Sequence, residues 1–280
     1  HMAHPVYDSK EIEDVYYIHY EPKTFAQKWS YYFCMTCRKL FDIVTRYKVG
    51  HMTEGKWLNR FIFLETVAGI PGMVAAMVRH LKSLRTMEHD NGWIHTLLEE
   101  AENERMHLFT FLELKKPSMI FKASVVMSQG IVWNLYFMTY LISPSTAHSF
   151  VCYLEEEAVK TYTYALKDLD EGRCEAWKTL PASAHSIQYW ALKEDATFRD
   201  VLLAIRADEA IHRDVNHEFA NTNPTGPNPL KDLNQSWIYP QITIRIDFIS
   251  FLSFIAGRKF FHYCSNLFFS RSLLQTSPQN

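Results

Sequence analysis

Two glutamates in this chain are each followed three residues later by a histidine. They are Glu104 and His107 in Asn103-Glu104-Arg105-Met106-His107-Leu108, and Glu209 and His212 in Asp208-Glu209-Ala210-Ile211-His212. On a helix this spacing puts carboxylate and imidazole one turn apart on one face, within reach of the same metal ion. A single pair means little, because with 13 histidines in the chain about one arises by chance. The order of the acidic positions carries more. A lone Glu65 in Leu64-Glu65-Thr66 precedes the first pair, and a lone Glu155 in Leu154-Glu155-Glu156-Glu157-Ala158 precedes the second. One Glu from each of two helices, plus Glu-x-x-His from each of two others, is the ligand set of di-iron carboxylate bundles. The repeated order predicts two related helix pairs about a pseudo-twofold axis. Four carboxylates and two imidazoles suit iron or manganese better than zinc or calcium, so two Fe ions, or Mn in their place, are the expected cofactor.

Solvated faces explain other acidic residues. Glu99, Glu100, Glu102 and Glu113 read that way. Glu65 does not, because Phe61, Ile62, Ala68 and Gly69 surround it at helical spacing, and a lone carboxylate there would be costly. Asp214 and His217 form a rival pair, but they lie five residues on and are rotated by roughly 140°. Asp208 and Asp214 are therefore assigned to supporting hydrogen bonds or ion pairs.

Helices must position these residues, and helical periodicity runs from about 24 to 221 without a convincing strand pattern. The first helix is expected over 25–47, with Phe25, Trp29, Phe33, Cys37, Phe41 and Val44 along one face. The second covers 54–83, with a kink expected at Pro71. The third covers 92–114, the fourth 118–143, the fifth 145–169 and the sixth 197–221, the last after a connection over 177–195. The fourth helix needs a decision, since residues 123–147 carry no charge and are long enough to cross a membrane. If it crossed, the third and fifth helices would lie on opposite sides and could not share a site. If they share one, it lies along the interface or within the core.

Three segments follow: an N-terminal arm (1–23), a di-iron helical domain (24–221) and a tail of unknown role (222–280) that opens on Thr222–Pro229. In the tail, the uncharged stretch Phe248–Gly257 is too short to span a bilayer. His1-Met2 reads as an expression remnant. Asp8, Glu11, Glu13 and Asp14 are the wrong charge for a mitochondrial transit peptide, so any targeting peptide is expected to have been removed.

Bulk composition excludes several classes. The chain is 48% hydrophobic and 21% charged, too apolar for disorder and too charged for a conventional multi-span membrane protein. A net charge of −2 gives no sign of nucleic-acid binding. Nine glycines are few for a Gly-rich phosphate-binding α/β fold. Five cysteines do not form a secreted disulfide framework, and Cys34 and Cys37, lacking a second such pair, read as apolar packing rather than a zinc site.

The strings LET, NERMHL, LEEEA and RADEAIHRDVNH together resemble the alternative oxidases, the cyanide-insensitive ubiquinol oxidases of mitochondria. The resemblance covers about Lys23 to Asn221 and leaves the tail unaddressed. It implies an all-α fold, a ferritin-like di-iron four-helix bundle with two additional membrane-facing helices. The iron ligands would be Glu65, Glu104, His107, Glu155, Glu209 and His212. Tyr162 matches the tyrosine proposed for radical chemistry, and it stands two turns after Glu155 on the same face. Arg38, Asp42, Arg60, Leu64, Glu157, Ala158 and Thr161 match the quinol pocket; Arg38 and Asp42, four residues apart, interrupt an apolar helix. The resemblance further implies a homodimer lying on the matrix leaflet of the mitochondrial inner membrane, or that of a related organelle. There Lys39, Arg46, Lys48 and Lys122 would meet anionic headgroups. The implied reaction oxidises two ubiquinols and reduces oxygen to water without pumping protons, with Glu157 or Asp42 as candidate proton acceptors. A plastoquinol-type terminal oxidase, a ferritin-like iron-storage protein and a metal-free structural helical protein are the alternatives.

Overall fold

The computed structural model describes His4, Tyr7 and residues 12–48 and 50–230, and these are helical apart from connections and one isolated bridge between Pro181 and Thr197. His1-Met2 and the Phe248–Gly257 stretch lie outside the described residues. Helix starts coincide with capping residues. Thr24 and Gln27 cap each other reciprocally at the head of α1 (Phe25–Val44), and Thr53 accepts from Lys56 N at α2 (Glu54–Thr86). Each such cap satisfies a backbone N–H that the helix itself leaves unpaired. After α3 (Trp93–Leu114), Ser118 opens α4 (Met119–Ile142). Ser143 then opens α5 (Pro144–Asp170), with proline at the one end of a helix where its missing N–H costs nothing. The expected connection contains two short helices, α6 (Glu175–Lys178) and α7 (Ala184–Trp190). A Thr197–Asp200 capping box starts α8 (Phe198–Asn221). α2 continues through Pro71 as one helix of 33 residues, flanked there by α3 and α4.

α2 packs along α3 and α5 along α8, while α1 lies on α5 and α4 on α2 and α5. The first two pairs are the bundle, and each carries one lone Glu and one Glu-x-x-His. Its core is divided along the axis. One apolar cluster gathers Trp57, Phe61, Phe111, Tyr162, Phe198 and Leu202; the other gathers Val74, Trp93, Leu97, Tyr140, Val151 and Phe219. On each of the four helices the acidic residues fall between these two blocks. The apolar ends exclude water from a polar layer that the sequence spaces at mid-helix.

Gly72 lets α2 and α3 approach. A Cβ there would stand 2.6 Å from the Leu97 carbonyl oxygen and 3.2 Å from Ala101 N. Both are backbone atoms, so a side chain can only be admitted by separating the helices. Gly72→Ala is expected to lower stability by about 1–3 kcal/mol, despite alanine's better helix propensity. Thermal unfolding of the variant checks this, and an unchanged midpoint would refute it.

Among the described residues, α2 and α4 are long and apolar enough to cross a membrane. α3 and α5 nevertheless bring buried carboxylates to one layer, so α4 returns alongside the bundle between them. Its outer face is apolar and bare: Val126 is 69% and Ile142 79% exposed. α1 adds Phe25, Tyr32, Leu40, Ile43 and Val44, also exposed.

Candidate metal centre

All six residues of the expected ligand set are buried. Glu65, Glu104, His107 and Glu209 each offer one atom, and these four atoms lie within 4.8 Å of one another. His107 Nδ1 is 3.4 Å from Glu65 Oε2, 3.4 Å from Glu209 Oε1 and 3.7 Å from Glu104 Oε2. His212 Nδ1 is 2.8 Å from Glu104 Oε1, and Glu155 is buried close enough to Glu209 for the two carboxyls to interact. The two imidazole rings stand 6.2 Å apart. The arrangement brings lone pairs together instead of matching donors to acceptors. His107 Nδ1, His212 Nδ1, Glu65 Oε2, Glu209 Oε2 and both Glu104 oxygens are buried and lack a well-aligned hydrogen bond. Buried polar atoms are rarely left so. Six orphaned donor atoms facing one space fit a group that coordinates them, and four carboxylates balance the charge of two divalent ions.

The electrostatics agree. Burial, reinforced by the Glu104 carboxylate, pushes Glu65 well above the usual carboxylate range. Burial with Glu209 and Glu104 does the same to Glu155, and burial with Glu104 raises Glu209. Burial also opposes charge on Glu104, but the His107 and His212 imidazoles outweigh it and hold that carboxyl low. Burial opposes charge on His212 too, and the Glu104 carboxylate overrides it, raising the imidazole to about 9.

Supporting contacts fix the orientation of the cluster's imidazoles. Asp208 Oδ2 accepts from His107 Nε2 (2.9 Å), Asn103 Nδ2 (3.0 Å) and Trp190 Nε1 (2.8 Å). With Nε2 carrying the proton, His107 Nδ1 turns its lone pair to the cluster. This is the supporting role the sequence reading gives Asp208. Asp214 pairs with Arg213 and accepts from Tyr20, away from the cluster. Glu100 departs from its expected solvated face. It is buried, accepts two hydrogen bonds from Asn216 Nδ2, and is raised by burial to about 7. Asn103 shares His107's face and Asn216 shares His212's, each at four-residue spacing, a signal the sequence did contain, whereas Trp190 carries none.

Tyr162 is buried, donates to Glu65 Oε1, and stacks on Phe61 at 4.7 Å between centroids. Beside it opens a cavity of about 580 Å³, walled by Arg38, Leu64, Glu157, Ala158 and Thr161. Glu65, Glu155, Glu209 and Tyr162 also line it, together with Trp29 and Phe33 of α1 and Ile131 and Leu135 of α4. Asp42 and Arg60 stand behind Arg38. Asp42 accepts from Arg38 Nε (3.1 Å) and Arg60 Nη2 (2.7 Å), and Arg38 Nη1 reaches Glu157 Oε2 at 3.0 Å. Arg60 is only 4% exposed and lies 3.8 Å over the Tyr47 ring. The Arg38–Asp42 pair is thus part of a half-buried chain of charges that runs from buried Arg60 to buried Glu157, rather than an isolated surface ion pair.

An all-helical bundle holding a buried carboxylate–imidazole cluster able to bind metal is the class this architecture defines. Residues 7–221 match the family model of the alternative oxidases. The mitochondrial alternative oxidase of Emericella nidulans is 49% identical over 234 residues, 78% of this chain and 65% of its own length. That of Trypanosoma brucei brucei is 49% identical over 218 residues, 78% of this chain and 66% of its own. The Aspergillus niger protein is 47% identical over 81% of this chain and 68% of its own length. The chain therefore spans about two-thirds of these relatives. It belongs to the alternative oxidase family.

Proposed function

We propose that this chain is a quinol:oxygen oxidoreductase that couples oxidation of two ubiquinols to four-electron reduction of oxygen to water. The observation that carries the reading is the cavity, which shares its walls between the outer apolar helices and the carboxylate cluster. A long-tailed quinol is suited to this space: its tail to the apolar α1 and α4 walls, its polar ring to Arg38, Glu157 and Thr161. Asp42 and Arg60 would hold Arg38 in place, and Leu64 and Ala158 would pack the ring. Glu65, Glu104, His107, Glu155, Glu209 and His212 would hold two irons, which supply electron storage between quinol and oxygen. Glu157 or Asp42 would accept the quinol protons.

Tyr162 would supply one electron and one proton to the reduction of oxygen, a role supported by its buried hydroxyl, which donates to Glu65 Oε1. Tyr162→Phe is expected to lower kcat by about 100-fold while iron content and the quinol KM stay unchanged. Steady-state kinetics beside iron analysis test this, and a wild-type kcat would remove the role.

The bare apolar faces of α1 and α4 support a monotopic seat on a membrane, with Lys39, Arg46, Lys48 and Lys122 toward anionic headgroups. The relatives' names support mitochondria, where the seat would be the matrix leaflet of the inner membrane, with the chain as a homodimer and no pumped protons. Residues 24–221 would form the working domain. The same exposed faces disfavour a soluble ferritin-like store.

Quinol-dependent oxygen uptake is the deciding experiment, made on purified protein of measured iron content. About two irons per chain are expected, with uptake that persists in cyanide and stops in salicylhydroxamic acid. Absence of uptake in iron-loaded protein would overturn the reading.

A further inference from the structure

The segment ahead of α1 is tied to the outer side of α8. Arg206 Nη2 donates to Ile12 O (2.9 Å) and Glu13 O (3.2 Å), and Arg213 Nη1 donates to Tyr16 O (3.4 Å). Tyr20 continues the attachment: its N donates to Glu156 Oε1, its hydroxyl donates to Asp214, and its ring stacks on His217 at 3.6 Å. Of these anchors, Arg206, Arg213, Asp214 and His217 share α8 with Asp208, Glu209 and His212, and Glu156 stands on α5. Nearer the N-terminus, His4 and Tyr7 reach the interior. His4 Nε2 stands 2.9 Å from Asp208 Oδ1, and the Tyr7 hydroxyl donates to that same oxygen. The His4 ring also lies against Tyr189 and Trp190, at 4.8 and 6.1 Å between centroids.

Asp208 is thus held from two directions. Its Oδ2 belongs to the bundle, through His107, Asn103 and Trp190. Its Oδ1 belongs to the strap. A carboxylate with donors on one oxygen alone can rotate and shift its charge; donors on both oxygens fix its plane and divide that charge between them. The partner of a ligating imidazole controls the ring's orientation and basicity. Whatever grips Oδ1 therefore acts on His107 at one remove.

We infer that the N-terminal strap is a positioning element of the metal centre, with His4 and Tyr7 fixing Asp208 so that it presents His107. Both grip Asp208, which in turn bonds His107. The inference rests on the reading of Glu104 and His107 as iron ligands.

Its test uses the full chain loaded with iron, comparing wild type with Tyr7→Phe, His4→Ala and the double variant. Tyr20→Phe, which removes a strap hydroxyl that does not reach Asp208, is the control. Losing support behind a ligating histidine costs about 10–100-fold in metal affinity or activity. The double variant should bind iron at wild-type stoichiometry, yet surrender it to a chelator about tenfold faster. Its iron-dependent optical and Mössbauer spectra should shift as well. His4→Gln, whose amide can still donate to Oδ1, should restore the slow release when combined with native Tyr7. The control should match wild type in both readouts. Wild-type release and spectra in the double variant would overturn the strap's role, as would an equal change in Tyr20→Phe. Should the double variant fail to fold, Tyr7→Phe alone decides by the same readouts. A wild-type chain without iron would instead overturn the ligand reading, and the inference with it.

Discussion

Replacing Glu104 by alanine is expected to leave the cluster without iron and take quinol oxidation below detection, with the helices intact. Glu104 reaches both imidazoles, at 2.8 Å from His212 Nδ1 and 3.7 Å from His107 Nδ1, and stands nearer His212 than Glu209 does at 4.0 Å. It is 1% exposed, so water cannot take its place cheaply. Changes behind a ligand already cost about 10–100-fold, and removal of a carboxylate facing both histidines should exceed that. Helical content should persist, because the two apolar clusters on either side of the layer are untouched. Glu99→Ala is the comparison: Glu99 is half-buried, 3.1 Å from His95 on the same helix, and its loss should change neither iron nor rate. Iron analysis, circular dichroism and oxygen uptake together decide. Full iron and activity in Glu104→Ala would sink the assignment.

Removing the iron should lower the unfolding temperature by on the order of 10 °C, and by more at pH 8 than at pH 6. In the metal-free protein, burial and neighbouring carboxylates raise Glu65, Glu155 and Glu209 above the ordinary 4.5. An acid raised on folding contributes stability that is complete below its unfolded value and fades as pH rises through its folded value. Against the cost of burial, His107 is raised by its bond to Asp208 and His212 by Glu104, the latter to about 9. Their contribution is complete below the unfolded value of 6.5 and is lost as pH passes through the folded one. The His212 contribution is lost across the range from pH 6 to 8, and the raised glutamates weaken the metal-free fold in the same direction as pH rises above their ordinary 4.5. Glu104 and Asp208, held low by their imidazole neighbours despite burial, act oppositely, but their windows lie below the ordinary 4.5 and 3.8. Metal binding displaces the same protons and is favoured by rising pH. The gap between loaded and metal-free midpoints should therefore widen with pH, and differential scanning calorimetry reads it directly. A gap that narrows would mean these groups do not hold the metal.

Much of this was legible before any coordinates. The six candidate ligands could be read because a helix is local: three-residue spacing assigns a face, and caps such as Thr24, Thr53 and Ser118 mark where helices begin. Tyr162 came from the family resemblance, and its place two turns from Glu155 agrees with it. Other positions were not. Glu100 has the same residue type as Glu99 beside it and a different fate, because one more helical step turns it toward Asn216 of α8. Arg60 sits in an apolar run that does not disclose its bond to Asp42, eighteen residues away on another helix.

The arm shows the limit most clearly. Nothing in the spacing of His4 and Tyr7 distinguishes them from other residues of a polar leader, yet both reach Asp208 across about two hundred positions. By itself the sequence determined which residues share a face and which faces carry charge, since 3.6 residues per turn is a property of the chain alone. Only the tertiary structure decided which faces meet. Burial, and with it the meaning of each carboxylate, depends on what the neighbouring helices leave in contact with water.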